Sequence, residues 1–118
     1  MIRDFTDLLI WQKAIEAGQK IYDLTRSFPA DERFGLTAQV RRAGVSISSN
    51  IAEGHARQGK EFAHFISIAR GSLAETESQL LFAVAIGYLP PEPVMEYRTL
   101  AGEIHRMCSS LVEKLKTK

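Results

Sequence analysis

The chain has one cysteine, Cys108, so it can form no disulfide within itself and no cysteine-built zinc site. It also lacks a long apolar run. The longest, Leu80 to Ile86, is seven residues, far below the about 20 that a helix needs to cross a bilayer. Neither charge is in real excess, with 15 Lys and Arg against 14 Asp and Glu for a net +1. Bulk charge therefore gives no reason to expect a polyanion or a membrane as partner. Met1-Ile2-Arg3-Asp4 has neither the charged start nor the apolar stretch of a secretory signal, and a soluble, cytoplasmic protein is expected. What remains is ordinary globular material, 45% hydrophobic and 25% charged. At 118 residues it suffices for one domain over 1–118, burying roughly two-thirds of its unfolded surface.

Four segments repeat an apolar spacing of three and four, the period of a helix with one buried face. In the first, Leu8, Trp11, Ile15, Gly18, Tyr22 and Thr25 share a stripe, with Asp7 as the N-cap and Phe28-Pro29 as the end. The second opens near Asp31-Glu32, runs through Leu36, Val40, Ala43, Ile47 and Ile51, and is expected to stop at Gly54. The third starts near Gly59-Lys60-Glu61 and buries Phe62, Phe65, Ala69, Leu73, Thr76, Leu80 and Ala83 before Gly87 and Pro90-Pro91 end it. Pro93 suits the first turn of the fourth, which buries Tyr97, Leu100, Ile104, Met107, Leu111 and Leu115. Lys114, Lys116 and Lys118 then lie at its negative end. No segment alternates with period two. The expected fold is all-α, an antiparallel up-down-up-down four-helix bundle.

The second helix carries residues that are poor or indifferent helix formers, Gly44, Ser46, Ser48, Ser49 and Asn50. Its polar members Gln39, Arg42, Ser46, Asn50 and Glu53 line up on one side. The third helix has a matching small and polar strip that includes Ser67, Arg70, Gly71, Ser72, Glu75 and Ser78. Solvated faces carry Lys and Glu rather than Ser and Gly. Arg42, Ser46, Asn50, Glu53, Ser72 and Glu75 are therefore expected at a close helix–helix or subunit contact, with ligand binding as the second reading.

Chemistry is harder to find. Gly54 to Lys60 satisfies G-x-x-x-x-G-K, yet Glu61 stands where a phosphate-binding loop needs Ser or Thr, and no strand precedes it. Glu61-Phe62-Ala63-His64 has the Glu-x-x-His spacing of carboxylate-bridged metal bundles, without the second copy such a centre requires. His55, His64 and His105 have no Ser or Asp in a nucleophile arrangement, and Cys108 lies in an apolar stretch. No catalytic, cofactor or metal residue is assigned, and an enzyme is not expected. Charge is uneven, however: between residues 41 and 60, Arg41, Arg42, Arg57 and Lys60 stand against Glu53 alone, a local +3. Around Leu80 to Leu89 the third helix is apolar on nearly every side, so Phe82 and Ile86 need cover beyond one bundle. A second copy supplies it, and a closed ring avoids open-ended growth.

Several words of this sequence are those of a known family. They are Leu8 to Ala14, Ile21-Tyr22 to Phe28-Pro29, Phe34-Gly35-Leu36 with Gln39 and Arg41-Arg42-Ala43, and above all Val45 to Gly54 followed by Arg57. Glu61-Phe62 with Phe65, and Ala69 to Glu75, complete the match. The chain resembles the bacterial four-helix bundle proteins encoded in intervening sequences of 23S rRNA genes, closely over residues 5 to 89 and in pattern over the fourth helix. It departs at Gly59, where the family often has a serine or similar cap, so a less strongly capped third helix is expected. The resemblance implies a left-handed bundle that assembles into a homopentamer. The chain is also similar to the accessory protein of diversity-generating retroelements, a pentameric barrel with a basic, nucleic-acid-binding surface. No catalytic residue carries over. Taken together, a non-enzymatic oligomeric interaction protein is expected, binding RNA or DNA through Arg41, Arg57 and Lys60 on a common rim. The alternative is a structural adaptor with no nucleic-acid affinity.

Overall fold

Helix boundaries fall where the backbone can no longer satisfy its own hydrogen bonds. The computed structural model describes residues 1–116, so the expectation for Lys118 lies outside the described residues. Four helices run over Leu9–Thr25 (α1), Leu36–Arg57 (α2), Gly59–Ala85 (α3) and Pro91–Lys116 (α4), with short 3-10 turns at Phe5–Asp7 and Ala30–Glu32. Among the described residues there is no strand. Each helix packs on its two neighbours, α1 on α2 and α4, α3 on α2 and α4, and not on the diagonal one. The molecule is an all-α, antiparallel up-down-up-down four-helix bundle, 46 Å long and 23 × 22 Å across. Among the described residues no helix is long and apolar enough to cross a membrane.

The α2–α3 joint is a single residue. Gln58 (φ 63) and Gly59 (φ 62) both take the left-handed conformation, and Gln58 N–H donates to the Gly54 carbonyl at 2.9 Å. Glycine at 59 is what makes the second of these residues inexpensive. No side chain caps α3, in keeping with the missing serine. The helix stop thus lies at Gln58, not at Gly54, which is buried inside α2. Gly54 is there for another reason: a Cβ at that position would lie 2.8 Å from Phe65 Cβ. The glycine lets α2 and α3 meet backbone against ring.

α3 ends in a glycine motif in which Tyr88 N–H donates to Ala83 O at 2.8 Å and Gly87 N–H to Val84 O at 3.1 Å, with Gly87 at φ 85. α4 then begins at Pro91, so Pro93 is its third residue rather than the first. Neither proline costs a helical bond there, because the first four N–H groups of a helix have no partner in it.

The apolar phases of three helices differ from the sequence expectation. In α1 the buried residues are Ile10, Ala14, Ala17, Ile21 and Thr25, about one position away from the expected stripe. Trp11 is half-buried, its ring edge-on to Phe5 at 5.2 Å, and Tyr22 is exposed. The α1 seam is built from small alanines, and the large aromatics flank it. Asp7 does not cap α1 either, because its carboxylate accepts from Arg3 N–H and the Arg3 guanidinium. In α3, Ile66 takes the core place expected of Phe65, and in α4 the buried Cys108 lies inside while Met107, Leu111 and Leu115 are half-buried.

Candidate interaction surfaces

The polar strips of α2 and α3 do meet. Ser46 Oγ and Ser72 Oγ are 2.9 Å apart across the helix pair. Asn50 Nδ2 donates to Ser46 O at 2.8 Å and to Ser46 Oγ at 2.9 Å, which frees the Ser46 proton for Ser72. Small side chains and a shared hydroxyl pair let these helices approach closely. Arg42 and Glu75 lie on the rim of a shallow depression of about 250 Å³ above the pair. Glu53 belongs elsewhere: it is exposed and accepts from Arg57 within α2.

The three cations expected on one rim do not share one within a single chain. Arg41 and Arg57 lie 16 residues apart on α2, about 24 Å along the axis. Arg41 Nε donates to Thr25 Oγ1 at 2.8 Å, and its guanidinium lies 4.4 Å from the Tyr22 ring centre. Arg57 is neutralised: its Nε donates to Glu53 at 2.8 Å and its Nη1 lies 3.4 Å from Glu61. Both carboxylates raise its pKa, and two anions beside one cation leave no positive charge in excess for a phosphate. Lys60 is exposed at the start of α3, in an open depression of about 430 Å³ that also receives His64, Arg70 and Lys116. Sequence reasoning missed that company, since it joins two helix ends far apart in the chain. It also gave no surface role to Arg33 or to Phe34, which it named only in the family resemblance. Phe34 fits no apolar stripe, and that misfit was its only signal.

Groups capable of chemistry are tied up structurally. Glu61 pairs with Arg57, and His64 is exposed with its ring edge-on to Phe65. Glu77 accepts from His105 at 2.8 Å and from Arg98 at 3.3 Å, joining α3 to α4. The buried Tyr97 hydroxyl meets Thr76 Oγ1 at 2.6 Å. Burial pushes the Cys108 thiol up to about 11, which leaves almost no thiolate near neutrality. Among the described residues no three His, Cys, Asp or Glu side chains are grouped to hold a metal ion.

The family model of the 23S rRNA-intervening sequence protein matches residues 6–110. The chain belongs to this family. A solved structure from Bacteroides thetaiotaomicron, described as a protein with unknown function from the S23 ribosomal protein family, has a TM-score of 0.80 at 24% identity. The similarity covers 89% of this chain and 96% of that one, and at such identity it speaks for the fold. No curated protein matches. For this member of the intervening-sequence family, the run Val45 to Gly54 now has a structural meaning along α2. Ser46 and Asn50 form the hydroxyl link to α3, Ile47 and Ile51 are core, and Gly54 seats Phe62 and Phe65.

Proposed function

We propose that this chain is a non-catalytic, self-assembling interaction protein, a homopentameric ring that holds RNA or DNA on its basic surface. The observation that carries the reading is the outer face of α3. Between Ser67 and Ile86 its exposed positions include Ile68, Leu81, Phe82 and Ile86 but only one charged side chain, Glu75. Exposed positions on α4 include Glu92, Glu96, Arg98, Arg106, Glu113 and Lys114. A face meant for water looks like α4. Phe82 and Ile86 are about half exposed in the single chain, and a second copy is the cover this reading gives them. Five copies are taken from the family resemblance, since helix periodicity gives no copy number. Repetition around a ring multiplies each copy's cations, here Arg41 and Lys60 with Arg57 held back by its two glutamates.

Light scattering on the purified chain tests assembly, with an expected mass near five times 13.2 kDa; a monomer refutes it. Filter retention of labelled RNA and DNA at ~50 mM salt tests the partner, and binding should fall steeply by ~200 mM. The neutralised Arg57 and the net charge of +1 favour the second reading, an adaptor without nucleic-acid affinity. An assembled protein that retains neither nucleic acid would establish that reading instead.

A further inference from the structure

Between the end of α1 and the start of α2 lies an open groove of about 660 Å³. Its floor is apolar, with Tyr22, Ala38 and Val45, and Phe34 stands at its edge with 87% of its surface exposed. A phenylalanine this exposed gains nothing for folding. Three guanidiniums surround it. Arg33 lies 5.3 Å from the Phe34 ring centre, Arg41 lies 4.4 Å from that of Tyr22, and Arg42 lines the same groove. Among the described residues none of the three arginines forms an ion pair. That is the reverse of Arg57, which has two carboxylates.

Resting on the nucleic-acid reading above, we infer that this groove binds single-stranded nucleic acid, with a base stacked on the exposed Phe34 and phosphates met by Arg33, Arg41 and Arg42. Three points favour this occupant over a second copy of the chain. Unbalanced guanidiniums beside an exposed aromatic ring suit a ligand that alternates flat apolar rings with anions, as a single strand does. An apolar protein face would strip water from three unpaired charges without repaying them. A duplex keeps its bases stacked inside and can use the arginines alone. The site is therefore selective for unpaired strands and tolerant of sequence.

The test is fluorescence anisotropy of the full chain with a labelled 20-nucleotide oligoadenylate and with a duplex of equal length, at ~50 mM salt. Phe34→Ala is safe for folding because the side chain is exposed. It should weaken single-strand binding at least about tenfold and leave duplex binding within about twofold, and Phe34→Trp should restore the single strand. Arg42→Ala should weaken both probes and reduce the salt slope by about one. Arg57→Ala should change neither. Equal single-strand affinity in wild type and Phe34→Ala overturns the groove while leaving the nucleic-acid reading intact. Failure of wild type to bind either probe overturns both. A Phe34→Ala variant that loses assembly but keeps single-strand affinity assigns the ring to a subunit contact and overturns the inference.

Discussion

Adding one methyl group at Gly54 should loosen the bundle, although alanine is the better helix former. The new Cβ would lie 2.8 Å from Phe65 Cβ, 3.0 Å from Phe62 Cδ1 and 3.2 Å from Phe62 O, where carbon atoms prefer ~3.5–4.0 Å. Phe65 Cβ is fixed to the α3 backbone, so it cannot turn away. The helices must part locally by about 1 Å. Overpacking of this kind costs ~1–3 kcal/mol, against a helix-propensity gain of up to ~1 kcal/mol. A net loss of about 1–2 kcal/mol follows. Gly102→Ala is the control, because its Cβ would meet only the mobile end of Arg106, at 3.5 Å. That variant should gain ~0.5–1 kcal/mol. Urea unfolding followed by circular dichroism, at one fixed protein concentration because assembly contributes, should separate the two by about 2 kcal/mol with equal m values. Gly54→Ala as stable as Gly102→Ala would refute the close approach of α2 and α3.

The remaining predictions concern the core and the polar links. Leu73, fully buried, should cost ~2–5 kcal/mol when cut to alanine, and half-buried Trp11 clearly less; equal costs by urea unfolding would show the α1 phase to be wrong. Asn50→Leu loses the donor to Ser46 and should cost ~0.5–1.5 kcal/mol. Unchanged melting and unchanged mass would place the strip in solvent. Burial raises the Tyr97 phenol from 10.0 to about 12 and the Cys108 thiol from 9.0 to about 11. The folded state thus holds both protons more tightly than the unfolded chain. Their stabilisation is complete below about pH 9 and is lost as pH rises through 9 to 12, by ~2–3 kcal/mol per group. Melting temperatures should fall across that window, less steeply in Tyr97→Phe, and a flat profile would contradict the burial.

Much of the fold could be read from periodicity, since α2 and α3 carry regular apolar stripes broken only by the Gln58-Gly59 reversal. The α1 phase could not. Trp11 and Tyr22 carry far more apolar surface than Ala14 and Ala17, yet the alanines form the seam because close helices leave no room for rings. Gly54 misled for a related reason: a glycine that ends a helix and one that admits a neighbouring ring look the same in sequence. On the candidate surface, the Ser46–Ser72 pairing was foreshadowed by two small-residue strips. The pairing of Arg57 with Glu53 was also there to be read from the i, i+4 spacing, whereas Glu61 reaches it from α3 across the Gln58-Gly59 reversal. The Arg33–Phe34 edge was not, because its meaning depends on what α1 places beside it.

The one-residue link at Gln58 also bears on how the chain folds in time. α2 and α3 share the most extensive packing in the bundle and are the nearest in sequence, so closing them forfeits the least chain entropy. This hairpin is the natural nucleus, and α1 and α4 dock on it afterwards. Substitutions along its seam, at Ile47 or Leu73, should slow folding, whereas those at Ile10 or Ile104 should mainly hasten unfolding. The same order run backwards makes α1 and α4 the first to exchange their amide hydrogens, while the α2–α3 pair, which bears both the hydroxyl link and the outward apolar face, stays closed longest.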